Sequence, residues 1–161
     1  MKTNFEEYLT EVAPGVAAAE KATVFLLTCM DYRYAHRIVD LMDSKGLRRK
    51  YDIFVLAGAA AGANEDEKWR DVLVQHIKTA ILVGHPINRI MILEHRDCGA
   101  YREFFGLEWE DVTPRVEFEK HLEEVEKLRI YLEGALETEI PNLQIDAFLL
   151  ARDEDDRLQS D

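Results

Sequence analysis

The sequence has little cysteine and no long apolar run, and both absences limit what the protein can be. Its 161 residues include only two cysteines, Cys29 and Cys98. Two thiols far apart in sequence do not make a disulfide scaffold and are more typical of metal ligands, reactive thiols or core residues. No apolar run approaches the roughly 20 residues that cross a bilayer. Because the N-terminus is polar and acidic, unlike a signal peptide, we expect a cytoplasmic protein that does not bind membranes.

Positive charge is also scarce. The chain has 20 Lys and Arg against 32 Asp and Glu, a formal net charge of −12. Proteins that bind nucleic acid need a basic face, so we expect no nucleic-acid partner. The same charge disfavours long-range capture of an anionic substrate, although a locally positive pocket is still compatible with it. The length and the 47% hydrophobic content suit one globular domain with a sizeable core.

Predicted strands and helices alternate along the chain. Continuous or alternating apolar runs predict strands over residues 23–28, 52–56, 90–94 and 143–150. Helical periodicity predicts helices over residues 34–45, 64–84 and 115–136, with irregular segments at 57–63 and 100–112. This order predicts a single α/β domain with a mostly parallel central sheet and helices on both faces. We expect residues 1–22 to form an N-terminal helical arm and 23–161 the domain.

Residues with metal-binding or small side chains follow three of the predicted strands. Cys29 follows the first, the Gly/Ala segment 57–62 follows the second, and His95 and Cys98 follow the third. Ligands of parallel α/β folds bind at the carboxyl ends of the strands. Small residues allow the backbone to approach a ligand closely, although tight packing alone would also explain them. The positions of these residues therefore predict a site at this edge of the sheet.

A zinc site becomes possible if the first and third strands are neighbours. Cys29 then joins His95 and Cys98, and two thiolates with one imidazole suit zinc. Catalytic zinc usually has three protein ligands and an open fourth position. The alternative for the His-x-x-Cys pair is a core histidine beside a buried cysteine. A metal-free dithiol switch between the two cysteines is a further hypothesis.

Asp31 and Arg33 follow Cys29 closely and would lie near the open position. Arg33 can hold the Asp31 carboxylate with a charge-assisted, bidentate hydrogen bond, although an ordinary surface ion pair is the alternative. Zinc lowers the pKa of a bound water to about 7, so hydroxide would form at neutral pH. Asp31 would either orient this hydroxide or occupy the fourth position and close the site. Arg33 decides between these roles by whether it holds Asp31 away from the metal.

Three segments together resemble the β-class carbonic anhydrase family. They are Cys29-Met-Asp31-Tyr-Arg33, the Gly/Ala segment 57–62 and His95-Arg-Asp97-Cys98-Gly99. Their order and spacing agree with the family, and the similarity runs over about residues 23–150. The resemblance implies a β-carbonic-anhydrase-like fold and a homodimer or higher homo-oligomer.

The resemblance also implies an activity and roles for individual residues. One zinc ion per chain would be bound by Cys29, His95 and Cys98, with Asp31 and Arg33 as the catalytic dyad. The activity would be that of a zinc lyase, the reversible hydration of CO2 to bicarbonate by a zinc-bound hydroxide. The substrate pocket would include three small residues of the matching segments. These are Ala57, Gly58 and Gly99.

The chain departs from the family at the second strand end. The family commonly has Arg-Asn-Ala-Gly where this sequence has Val55-Leu56-Ala57-Gly58. Because that arginine helps some members to hold bicarbonate, we expect no bicarbonate regulatory site here. The altered segment is compatible with weak or altered activity and leaves two further hypotheses open. One is hydrolysis of another small heterocumulene, CS2 or COS, and the other is a non-catalytic zinc protein with Asp31 bound to the metal.

Overall fold

The computed structural model describes residues 21–107 and 112–151. Residues 1–20 of the predicted arm lie outside the described residues, so the arm stays a prediction. The strands are β1 Val24–Cys29, β2 Tyr51–Leu56, β3 Arg89–His95 and β4 Gln144–Leu150. The helices are α1 Ala35–Ser44, α2 Ala60–Glu65, α3 Glu67–Leu82, α4 Gly99–Phe105 and α5 Pro114–Leu136.

The four strands form one parallel sheet in the order β2-β1-β3-β4. β1 is central, with Cys29 paired to Leu56 of β2 and Thr28 paired to Leu93 of β3. All of β1 and all but the first residue of β3 are buried, as continuous apolar runs predict for the centre of a parallel sheet. The register therefore brings the carboxyl ends of β1, β2 and β3 side by side.

Helices cover both faces of the sheet, so the predicted fold class is confirmed. Successive side chains of a strand point to opposite faces, which divides the core into two layers. Phe25, Leu27 and Ile92 face α3 and α5, where Leu73, Ile77, Leu128 and Leu132 are completely buried. Leu26, Met91 and Leu93 face α1, which contributes Ile38 and Met42. The edge of the sheet where the predicted site lies is thus held between two packed layers.

The predicted loop 57–63 and the predicted start of the next helix are both wrong. Helix α2 begins at Ala60, and α3 begins at Glu67, with Asp66 accepting hydrogen bonds from the N–H groups of Lys68 and Trp69. Asn64, the first residue of the predicted helix, instead lies in α2, one residue before its last residue Glu65, and donates to Glu124. Alanine has the highest helix propensity, so a run of small residues forms a helix once it is packed. The prediction gave too much weight to the freedom of small residues.

One expectation for the segment after Cys98 is also corrected. Residues 99–105 form helix α4 rather than an irregular segment, while residues 108–111 lie outside the described part. The glutamate-rich face of α5 is not wholly solvated, since Glu117 and Glu124 are buried and Leu122 is 55% exposed. Buried carboxylates persist where partners surround them, and both of these accept several hydrogen bonds. Lys120 lies one turn from Glu124 on the same helix, whereas Asn64, Arg96 and Asp97 come from distant segments and leave no local sequence signal.

None of the helices in residues 21–107 and 112–151 combines the length and the apolar character that crossing a membrane requires.

Candidate metal centre

Three potential metal ligands meet at the carboxyl ends of β1 and β3. Cys29 is the last residue of β1, His95 is the last of β3, and Cys98 precedes α4. The ligand atoms of the three side chains all lie within 4.8 Å of one another, and the two Sγ atoms are 3.7 Å apart. All three residues are buried. The structure thus brings together the predicted ligand set, which could hold a metal ion.

His95 is oriented as a metal-binding histidine would be. Its Nδ1 lies 2.9 Å from the carbonyl oxygen of Arg96, and its ring stacks on Tyr34 with 4.3 Å between centroids. Because a carbonyl can only accept, Nδ1 carries the proton and Nε2 is left as the acceptor. Nε2 is buried and has no hydrogen-bond partner among the described residues. A buried polar atom without a partner is costly, and a bound metal ion would remove that cost.

The two thiols share one strong contact that favours a single thiolate. The hydrogen bond with Cys98 lowers the pKa of Cys29 to about 4, against the effect of burial and with help from His95. The contact with Cys29 and burial together raise the pKa of Cys98. Burial opposes protonation of His95, but the interaction with the neighbouring Cys29 outweighs it, so the pKa of His95 is raised. Anionic sulfur and imidazole nitrogen are the donors that zinc prefers, so the residues fit this ion.

Gly58 contacts the predicted ligand Cys29 through its backbone. Its backbone N–H donates to Cys29 Sγ at 3.4 Å, which stabilises a thiolate there. Its φ of +66° lies in the left-handed region, and a Cβ would lie 3.0 Å from the Ala100 side chain and 3.3 Å from Phe104. Backbone conformation and space both require glycine at this position.

Asp31 and Arg33 form a tight pair next to the three ligands. Arg33 donates from Nε to Asp31 Oδ1 at 3.0 Å and from Nη2 to Oδ2 at 2.6 Å. The Asp31 side chain is only 14% exposed, so this is not an ordinary surface ion pair. The Arg33 hydrogen bonds lower the pKa of Asp31, which stays anionic. Asp31 Oδ2 lies 3.8 Å from His95 Nε2, beside the position that a metal would occupy.

The sequence analysis missed Glu117, which contacts the turn between the predicted ligands. Glu117 Oε1 accepts a hydrogen bond from the backbone N–H of Asp97, and Oε2 accepts one from Arg96 Nη1 at 2.7 Å. Arg33 donates in turn to the carbonyl oxygen of Asp97 at 3.0 Å. Glu117 lies about twenty residues downstream in a helix rich in glutamate, so no sequence signal distinguishes it from its exposed neighbours.

A cavity of about 480 Å³ is lined by Cys29 and Cys98, two of the three predicted ligands, and by Asp31. Of the predicted pocket residues, Ala57 and Gly99 line it, whereas Gly58 is buried behind its wall. Apolar and aromatic side chains form much of the rest of the lining. They are Met30, Tyr32, Trp69, Ala100 and Phe104. The cavity suits a small, uncharged molecule better than a large polar one.

A second group of buried polar side chains, also missed, lies on the other side of β3. Glu94 Oε1 accepts a hydrogen bond from the Ala60 N–H at 2.9 Å, and Oε2 lies 3.3 Å from His121 Nδ1. The His121 ring contacts Tyr101 at 3.9 Å between centroids. Burial, with the nearby charge of Glu94, raises the pKa of Tyr101. Glu94 closes an apolar strand, so the sequence analysis treated it only as part of that strand.

Comparison with known proteins supports the fold and leaves the activity open. No known protein-family model matches the sequence. An uncharacterized protein of Rickettsia bellii is 29% identical over 134 residues, covering 83% of this chain and 79% of the relative. An uncharacterized protein of Rickettsia conorii is 28% identical over 135 residues, covering 83% of this chain and 69% of the relative.

A solved structure extends the likeness over almost the whole chain. The crystal structure of β-carbonic anhydrase isoform I from the protozoan Trichomonas vaginalis matches with a TM-score of 0.55 and 16% sequence identity. The match covers 95% of this chain and 94% of that chain. At this identity the likeness shows the fold alone. The chain therefore has a β-carbonic-anhydrase-like fold, and a Cys-His-Cys cluster that could bind a metal lies at the carboxyl ends of its strands.

Proposed function

We propose that the protein is a zinc-dependent lyase that catalyses the reversible hydration of CO2 to bicarbonate, with one zinc ion per chain. One observation carries the proposal. The ligand atoms of Cys29, His95 and Cys98 lie within 4.8 Å of one another, beside the Asp31–Arg33 pair and a small apolar cavity. The β-carbonic-anhydrase-like fold supports the same conclusion.

Cys29, His95 and Cys98 would hold the zinc ion. The buried His95 Nε2 and the thiolate favoured at Cys29 are donors that need a cation. When bound, zinc supplies a nucleophile at neutral pH because it lowers the pKa of a coordinated water to about 7.

Asp31 and Arg33 would orient the reacting groups. The lowered pKa of Asp31 keeps its carboxylate an acceptor at neutral pH, so Asp31 can fix the direction of a hydroxyl hydrogen in the pocket. Arg33 holds both Asp31 oxygens by hydrogen bonds and stays charged, since Asp31 raises its already high pKa. This pairing argues against the non-catalytic alternative, which requires Asp31 to leave Arg33 and bind the metal.

The pocket and the net charge fit this substrate and product. Neutral CO2 gains from an apolar cavity, whereas the anionic product is disfavoured by a chain with a net charge of −12. Positions 55 and 56 are Val55 and Leu56, so neither supplies an arginine that could hold bicarbonate. We therefore expect no regulation of the activity by bicarbonate.

We also propose a cytoplasmic homo-oligomer. Apolar side chains are exposed on one face of the edge strand β2, where Ile53 and Val55 are 51% and 50% exposed. Exposed apolar side chains on an edge strand favour an interaction surface. Light scattering coupled to gel filtration should give a mass of at least two chains, and a monomer would contradict the proposal.

Stopped-flow measurement of CO2 hydration with a pH indicator tests the activity. Zinc-loaded protein should accelerate hydration, and Asp31→Asn should reduce the rate while zinc content is kept. Asp40→Asn, a change of an exposed aspartate on α1, serves as the matched control and should leave the rate unchanged. Zinc-loaded protein that hydrates CO2 no faster than buffer would overturn the proposal.

Hydrolysis of CS2 or COS is the second candidate, favoured by the apolar lining of the cavity and the altered second strand end. It predicts sulfide release by the wild-type protein and none by Asp31→Ala. Sulfide release without CO2 hydration would replace the first proposal with this one.

A further inference from the structure

We propose that Glu117 is a positioning residue that keeps Asp31 paired with Arg33 and away from the metal. Glu117 would act through the metal loop, which we define as residues 95–98, between the two predicted ligands His95 and Cys98. The inference rests on the proposed zinc site. It adds a residue from α5, a helix that contributes none of the predicted ligands, to the control of the fourth coordination position.

The first step is the contact between Glu117 and the metal loop. Asp97 has φ +60°, a left-handed conformation that aspartate adopts more readily than most residues but less readily than glycine. Glu117 Oε1 accepts a hydrogen bond from the Asp97 N–H at 2.5 Å, while Oε2 accepts one from Arg96 Nη1 at 2.7 Å. The Glu117 side chain is only 10% exposed, so these bonds are poorly replaced by water. Glu117 therefore stabilises the loop in this conformation.

The second step links the metal loop to Arg33. In its left-handed conformation Asp97 directs its carbonyl oxygen to Arg33 Nη2 at 3.0 Å, and its Oδ2 lies 3.4 Å from Arg33 Nη1. These two contacts tie the guanidinium to the metal loop. If Asp97 relaxed to an ordinary conformation, its carbonyl would rotate and Arg33 would lose this attachment.

The third step is the hydrogen bonding of Arg33 to Asp31. The guanidinium donates to both carboxylate oxygens and so fixes the carboxylate in its present position while the pair lasts. The distance that Asp31 would have to move is short, because its Oδ2 already lies 3.8 Å from His95 Nε2. Loosening Arg33 should therefore let Asp31 occupy the fourth position and close the site.

Azide binding to the cobalt-substituted protein tests the inference without any catalytic assay. Azide can bind cobalt only where the fourth position is open, and the visible spectrum reports its binding. Glu117→Ala should weaken azide binding by about tenfold, the factor that corresponds to the loss of a buried acceptor for the Asp97 N–H. Adding Asp31→Ala to Glu117→Ala should restore the affinity, because the competing carboxylate is then gone.

Two further variants separate positioning from general damage. Glu117→Gln keeps an oxygen acceptor for the Asp97 N–H and should bind azide nearly as well as wild type. Glu119→Ala is the matched control, since Glu119 lies on the same helix, is exposed and pairs only with Arg115 among the residues described. It should leave azide affinity unchanged. If Glu117→Ala does not fold, Glu117→Asp shortens the side chain and should shift the affinity in the same direction.

Two results would overturn the inference. One is wild-type azide affinity in Glu117→Ala or, if that variant does not fold, in Glu117→Asp. The other is a loss of affinity that Asp31→Ala does not restore, which would indicate structural damage to the site. Both results are independent of the proposed reaction. A protein that binds cobalt and azide as expected but does not hydrate CO2 would contradict the proposed function alone.

Discussion

Two groups of buried polar side chains lie on opposite sides of the end of β3, and they differ in what their polar atoms face. His95 points toward Cys29 and Cys98, where three donor atoms converge beside a cavity of about 480 Å³. Its neighbour Glu94 points to the other face, where it bonds the Ala60 N–H and contacts His121. Both residues are about 2% exposed or less. Burial alone therefore does not identify a functional site.

The difference lies in donor chemistry and access. The first group combines sulfur with imidazole around one point that a ligand can reach. The second places a carboxylate between a helix N-terminus and an imidazole, and its adjoining cavity is only about 130 Å³. We interpret the Glu94 group as a set of structural contacts that joins β3, α2 and α5. Variants of the two groups test this distinction between a functional site and structural contacts.

The largest effect is expected from His95→Ala. Removing one of three ligands should weaken zinc binding by more than about a hundredfold, since even changes to the surrounding residues cost roughly 10- to 100-fold. Metal analysis after gel filtration measures the loss. His76→Ala, a change of an exposed histidine on α3, is the control and should retain zinc. Full zinc content in His95→Ala would contradict the proposed metal centre.

Asp31→Asn should lower the rate of CO2 hydration by about a hundredfold, within the usual range for a proton-handling group. An amide keeps the size of the side chain but loses the charge that Arg33 holds. Zinc content should not fall, which distinguishes Asp31 from the three ligands. Stopped-flow rates on samples of equal zinc content measure the effect. An unchanged rate would show that the pair is structural, like the Glu94 group.

Glu94→Ala should affect stability and leave zinc binding intact. The Ala60 N–H loses its acceptor and His121 loses its carboxylate, which should lower the free energy of unfolding by about 1–3 kcal/mol. Urea denaturation of the zinc-loaded protein measures the change. Glu137→Ala, a change of an exposed residue at the end of α5, is the control. Loss of zinc from a folded Glu94→Ala variant would contradict the separation of the two groups.

The smallest effect is expected at Glu124, which lies outside both groups and contributes to the pH dependence of stability. Burial opposes ionisation of Glu124, but hydrogen bonds from Lys127, Lys120 and Asn64 outweigh it and lower its pKa below the ordinary 4.5. A lowered pKa means that this stabilisation is fully present above about pH 4.5 and is lost as the pH falls through the folded-state value. Glu124→Gln should therefore lower the free energy of unfolding at pH 7, where the wild type has this contribution, and the two stability curves should converge as the pH falls below about 4.5.

Urea denaturation at a series of pH values measures this effect. Glu133→Gln, on the exposed side of the same helix, should leave the curve unchanged. An identical slope in Glu124→Gln and wild type would show that the acid sensitivity arises elsewhere, for example at the metal centre.

The sequence alone determined much of the fold. Continuous apolar runs predicted β1 and β3 within one residue at each end, because strands buried on both faces have few polar residues. Alternation of strands and helices then led to a parallel α/β sheet. Where prediction failed, as at α2 and α4, short helices depend on packing against neighbours more than on their own sequence. Propensity is too weak to decide segments of six or seven residues.

The sequence also determined which side chains could bind a metal, since Cys29, His95 and Cys98 have the chemistry wherever they lie. Only the tertiary structure decided that they meet. Cys29 and Cys98 are 69 residues apart, and their contact depends on the pairing of β1 with β3. The contacts of Glu117 and Glu94 were likewise decided by packing, because their partners come from distant segments. The ability to bind a metal is a property of each ligand residue, but the meeting of the three ligands at one point depends on sheet order and register.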